Sequence, residues 1–173
     1  DRTRQAIQND LQQILREADR LSAQGKYLDA LDKYKEAQRT KQLDAATRKK
    51  VDTEIAILQN RMNRDDAYQK GIAEYFKKNY VDALEYFDQA LRLDPNNEQL
   101  KDYWDKADAR ANAQDEPFAN EHIKNQYKVA ASLVIRKKYR EALDILLELQ
   151  KQQKYNRDIL KLIDEAEEAL NNK

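Results

Sequence analysis

The chain has few residues able to do covalent chemistry. It holds one histidine, His122, two serines, Ser22 and Ser132, and no cysteine among 173 residues. A Ser-His-carboxylate triad needs a nucleophile beside its base, and no readable motif pairs His122 with either serine. Thiol chemistry and disulfides are excluded outright. A zinc site wants several His or Cys ligands, and His122 has no second histidine on its helix face. Two glycines, Gly25 and Gly71, cannot build a phosphate-cradling loop, and no stretch has the alternating Asp and central Gly of a calcium loop. Carboxylates abound, but most have Lys or Arg three or four residues away, the spacing of solvated helical ion pairs. No enzyme activity, cofactor or metal is expected.

The elements that could position anything else are helices. Gly and Pro number two each, far too few for a hairpin-rich β fold. Ala, Leu, Glu, Lys, Gln and Arg dominate, and these lose little rotamer freedom in a helix. The fold class is all-α. Lys plus Arg equals Asp plus Glu at 32 each, so no basic excess points to nucleic acid. No apolar run is long enough for a transmembrane segment. The mean hydropathy of −1.06 is low, but regular apolar stripes argue for folded helices rather than disorder. The chain starts at Asp1 without Met or a signal-like stretch and reads as an excised or processed piece.

Three segments align without gaps: GKYLDALDKYKEA (Gly25 to Ala37), KNYVDALEYFDQA (Lys78 to Ala90) and KKYREALDILLEL (Lys137 to Leu149). Each has a polar turn, a Tyr (Tyr27, Tyr80, Tyr139) and an Ala three residues later (Ala30, Ala83, Ala142). Each follows an amphipathic segment: LREADRLSAQ, YQKGIAEYFK and YKVAASLVIR. Two helices and a tight turn per unit is the economical reading.

The pattern resembles the tetratricopeptide repeat. The middle unit carries the resemblance best, with Gly71 in its first helix, Tyr80 at the turn, Ala83, Phe87 and Ala90 in its second helix and Pro95 after it. The first unit keeps Ala18, Tyr27, Ala30, Tyr34 and Ala37. The third keeps Ala130, Tyr139 and Ala142 but has Leu146 and Leu149 in place of the late Phe and Ala. All of these are first of all packing residues: small ones let helices approach and aromatic ones fill the remaining space.

The Ala-to-Ala spacing is 53 and then 59 residues, well beyond the family's 34. Each hairpin must therefore be followed by a further helix. Stripes at Val51, Ile55, Leu58 and Met62, at Leu100, Tyr103/Trp104, Ala107 and Ala111, and at Ile159/Leu160, Ile163, Ala166 and Leu170 have helical spacing. Caps, spacers and degenerate repeats all fit them. The expected architecture is a TPR-like α-solenoid of three helical hairpins, each followed by an additional helix. It forms a single domain over 1–173 with units of about 3–62, 63–114 and 118–172. Only Asn63 and Asp65 interrupt the stretch from about Asp44 to Tyr68, which leaves room for a nearly continuous helix into the second hairpin. The segment Ala113 to Asn120, with Pro117, is either a hinge or a plain tight connection.

In proteins the chain resembles, ligands lie on the concave face made by the first helix of each hairpin. The resemblance places Tyr68, Ile72, Tyr75 and Phe76 there in the second unit, and Lys124, Tyr127, Lys128, Ala131 and Ile135 in the third. The family's clamp for a peptide carboxylate also involves positions that here are Leu15, Asp19 and Gln69, which do not match its basic and Asn residues. The expected function is a protein-interaction scaffold for a peptide or partner helix. The alternative is a spacer or assembly subunit that self-associates through its terminal helices, around Ile7, Leu11, Ile14 and Leu15 or Ile159 to Leu170.

Overall fold

Three tight turns punctuate the helices, and all three use one device. Gly25, Lys78 and Lys137, each two residues before the repeated Tyr, adopt φ of 74°, 66° and 59°. In each turn this left-handed residue donates its N–H three residues back, to Ser22, Tyr75 and Val134 at 2.8–3.0 Å. The next residue donates five back, to Leu21, Glu74 and Leu133 at 2.9–3.0 Å. This paired closure satisfies carbonyls that a helix end leaves open. Elsewhere side chains start the helices: Asn97 accepts from the Leu100 N–H at 3.1 Å and Asn120 from the Ile123 N–H at 2.9 Å.

The computed structural model describes residues 2–41 and 43–172. It contains α1 (Arg2–Ala23), α2 (Tyr27–Gln38), α3 (Ala45–Phe76), α4 (Tyr80–Leu93), α5 (Glu98–Ala111), α6 (Glu121–Ile135), α7 (Tyr139–Gln152) and α8 (Arg157–Asn171). No strand occurs among the described residues. The helices pair as hairpins α1–α2, the end of α3 with α4, and α6–α7, each followed by further helix. The extra helix of the first hairpin and the first helix of the second are one element, the 32-residue α3.

That fusion follows from what α3 lacks. Asn63 and Asp65 are poor helix formers, but no Gly or Pro lies between Ala45 and Tyr68 to end it. Its two halves bury different faces. Val51, Ile55 and Leu58 are buried in the first half, Ala67 and Gly71 in the second. At about 100° per residue, the second set lies roughly halfway round the helix from the first. Arg64, between them, pairs with Asp65 and, at 2.9 Å, with Asp94 in the turn after α4.

The chain forms two compact units, Asp1–Gln69 with Gln89–Asn96, and Lys70–Asp88 with Asn97–Lys173. In the first, Leu11, Ala18 and Leu21 of α1 pack on Ala30, Leu31, Tyr34 and Ala37 of α2 and on Val51, Ile55 and Leu58 of α3. In the second, Ile123, Ala130 and Val134 of α6 and Ala142, Leu146 and Leu149 of α7 close over Ile159, Leu162, Ile163 and Ala166 of α8. Helix α8 packs on α6 and α7 and also touches α5.

Gly71 shows how tightly the middle hairpin closes. A Cβ there would lie 2.5 Å from Phe87 Cε1, and Phe87 is fully buried. Gly71→Ala is expected to lose about 1–3 kcal/mol to overpacking, less up to about 1 kcal/mol of helix propensity regained. The urea midpoint reports this net loss, and Phe87→Leu in the Gly71→Ala background should recover part of it. An alanine variant more stable than the parent would show that the ring has room to move.

Candidate partner-binding surface

On α3, Ala67 and Gly71 form the buried stripe, and Tyr68, Ile72, Tyr75 and Phe76 occupy the neighbouring positions. Tyr68 lies in the first unit and is half-buried. Ile72, Tyr75 and Phe76 lie in the second. Tyr75 is the centre of an aromatic cluster: its ring centroid is 5.6 Å from Phe76, 5.5 Å from Tyr80 and 5.8 Å from Tyr103, all edge-on. Burial pushes its phenol well above the ordinary tyrosine range. Phe76 closes the helix and is mostly exposed. The two adjacent aromatics thus divide, one into the cluster and one toward solvent. A hollow of about 260 Å³ opens beside them, lined by Tyr75, Phe76, Tyr103, Lys106, Glu167 and Leu170.

Under this cluster lies Arg110 of α5, its side chain 5% exposed. Its guanidinium donates to Asp164 of α8 from two nitrogens, one at 2.9 Å, and to the Lys106 carbonyl at 3.0 Å. Glu167 is 3.9 Å away, and the Tyr75 ring centroid 5.6 Å. Burial raises the Glu167 carboxyl, against the pull of Arg110 and Lys106. Arg110 belongs to no motif of the sequence. Its signal was a charged residue in step with the α5 stripe of Leu100, Tyr103 and Ala107, where burial demands a partner.

On α6 the buried stripe is Ile123, Ala130 and Val134. Lys124, Lys128, Ala131 and Ile135 run beside it at spacings of four, three and four. Lys124 pairs with Glu121 at 3.2 Å, Lys128 and Ile135 are exposed, and Ala131 is partly buried. Tyr127 stacks on Phe118 with centroids 4.8 Å apart and packs against the second core. Burial raises its phenol, helped by the Asp158 and Glu165 carboxylates of α8. The three residues at the clamp positions are otherwise engaged or unsuited. Leu15 packs on the first core, Asp19 accepts from the Tyr34 hydroxyl, and Gln69 is exposed but uncharged.

The segment from Ala113 to Asn120 is fastened at several points to residues 153–157, as a plain tight connection would be. Gln114 donates its N–H to the Tyr155 carbonyl at 2.7 Å and accepts from the Arg157 N–H at 3.0 Å. Gln153 donates to the Pro117 carbonyl at 3.1 Å and accepts from the Ala119 N–H at 3.1 Å. Next to it, Asp108 is buried yet charged. Burial would raise its carboxyl, but hydrogen bonds from Lys154 at 2.7 Å, Tyr155 at 3.0 Å and Asn112 at 2.8 Å hold it below the usual carboxylate range.

Among the described residues no three His, Asp or Glu side chains gather as a metal ion would need. No described helix is long and apolar enough to cross a membrane. What the geometry defines is a helical-hairpin repeat protein, with close-packed small residues at each hairpin and aromatic, aliphatic and basic groups on its first helices. The sequence model of the tetratricopeptide repeat matches residues 67–97, which span the end of α3, α4 and the Pro95 turn. The resemblance therefore holds where Gly71, Tyr80, Ala83, Phe87, Ala90 and Pro95 stand, and such repeats generally serve as protein-interaction scaffolds. No curated protein and no solved structure matches the chain.

Proposed function

We propose that the chain is a protein-interaction scaffold that receives a peptide or partner helix on the first helices of its hairpins, the concave side in solenoids of this kind. One observation supports this above others. Within the second unit both α3 and α6 carry, beside the stripe that builds the core, a second stripe left wholly or partly open: Ile72 and Phe76 on one, and Lys124, Lys128, Ala131 and Ile135 on the other. Aromatic and aliphatic groups next to lysines fit an amphipathic partner with apolar and acidic residues. Tyr75 and Tyr127 shape the surface from beneath, since both are held by ring neighbours. The terminal-helix alternative draws less support, because Ile159, Leu160 and Ile163 are buried, Leu11 is buried and Ile14 and Leu15 pack on the first core.

A photoreactive residue at position 128 should cross-link a discrete partner in the native cell extract, and one at position 85 on α4 should not. Lys124→Glu with Lys128→Glu should weaken capture of that partner by about tenfold or more, as loss of two matched charges would. The circular dichroism melt should stay unchanged. Equal cross-linking from both positions, or capture indifferent to the charge reversal, would refute this placement of the site.

A further inference from the structure

We infer that the edge of the second unit made by the α3–α4 and α6–α7 turns docks on the surface of an anionic phospholipid bilayer, which would take Phe76 and Ile135 at the turn ends of the two open stripes and leave Ile72, Lys124 and Lys128 to a protein partner. The turns have a shared composition. Phe76 and Ile135 hold the same register position, four residues before the repeated Tyr, and each is the last residue of its helix. Phe76 is 66% exposed, Ile135 82%, and Val81, one residue past Tyr80, 71%. Behind Phe76 come Lys77 and Lys78, and behind Ile135 come Arg136, Lys137 and Lys138, with Arg140 following. The corresponding turn of the first hairpin keeps an exposed Leu28 in the place of Val81, but has Ala23 where Phe76 and Ile135 stand and only Lys26 in place of the basic run.

The charges do not cancel locally. Lys77 pairs with Glu74 at 2.8 Å, Lys78 with Glu168 at 3.1 Å and Lys138 with Glu141 at 3.0 Å. Asp82 is the other acid in these turns. Arg136, Lys137 and Arg140 have no ion pair among the described residues. The two turns also meet at one place: Glu168 of α8 holds Lys78, and Leu170 lines one hollow with Phe76 and another with Lys137, Tyr139 and Arg140. Apolar side chains at helix ends, ringed by cations on long stems, suit a planar boundary. The rings and branched chains enter the acyl edge while the ammonium and guanidinium groups stay among phosphates. A folded acidic protein would have to match three unopposed cations one by one, whereas a headgroup layer supplies negative charge at any register.

The full chain, mixed with phosphatidylcholine vesicles with and without phosphatidylglycerol, should co-sediment only with the anionic ones and should be released by salt. Phe76→Ser with Ile135→Ser, and separately Lys137→Glu with Arg140→Glu, should each reduce partitioning by about tenfold or more. All four residues are exposed, so melts of both variants should match the parent and keep each comparison interpretable. No binding to anionic vesicles, equal binding to neutral ones, or variants that bind like the parent would overturn the inference. So would soluble poly-glutamate binding as tightly as the vesicles without regard to Phe76 and Ile135, which would assign the cations to an acidic protein segment.

Discussion

Replacing Arg110 with alanine is expected to cost the second unit about 3–5 kcal/mol, the size seen when one partner of a buried ion pair is removed. The reason lies in what would be left behind. Asp164 would lose the guanidinium that bonds it, Glu167 would lose one of the two cations that offset its burial, and Tyr75 would lose the charge under its ring. Arg110→Lys keeps a charge but not the fork that bonds Asp164 and the Lys106 carbonyl together, so an intermediate loss follows. Trp104 is the single tryptophan and lies on α5, two turns before Arg110, with its indole N–H on Asp88 at 2.7 Å. Its fluorescence through a urea titration reports the unit that should weaken. A midpoint unchanged in Arg110→Ala would mean that water replaces the guanidinium at no net loss.

The second large effect is expected at Asn156, where the buried side chain does two jobs. Its Oδ1 accepts the Asp158 and Ile159 N–H groups at 3.1 Å and starts α8, while its Nδ2 donates to the Glu116 carbonyl at 3.0 Å. The residue is 1% exposed, so no bulk water stands ready to take over either bond. Asn156→Ala should lose about 1–3 kcal/mol, summing a helix cap and the lost bond to a half-buried carbonyl. Asn156→Ser retains a capping oxygen but is too short for Glu116 and separates the two contributions. Serine as stable as asparagine would show that the bond to the 113–120 segment adds nothing. Serine as poor as alanine would show that the cap adds nothing.

Both effects concern the helices that follow the hairpins, which bears on how a partner site would behave. Arg110 joins α5 to α8 directly beneath Tyr75, so the open stripe on α3 rests on a charged underlayer. Loss of binding after a change in that layer would be structural. Charge reversal at Lys124 and Lys128 tests the surface itself, because those side chains carry no core packing.

Much of the fold was legible in the sequence. The repeated Tyr and Ala positions placed all three turns, and the 3–4 spacing of Val51, Ile55 and Leu58, or Ile159, Ile163 and Ala166, placed the extra helices. Such features are local: a turn needs its left-handed residue and a helix its periodic face, and both are written within a few residues. The wide repeat spacing likewise announced that each hairpin would be followed by further helix. Only the tertiary structure decided where the long-range partners meet. Nothing in the chain around Ala113 to Asn120 tells that its carbonyls and amides are held by Gln153, Tyr155 and Asn156, some forty residues away. Nor could spacing separate Tyr75 from Phe76, since neighbours on a helix point about 100° apart and the choice between core and solvent depends on Tyr80 and Tyr103. Period likewise could not tell that Leu11 of α1 and Ile159 and Ile163 of α8 lie in their own cores while Ile7 and Leu170 stay half-buried. Residue type and period settle which groups must be buried; which groups bury them is a property of the folded chain.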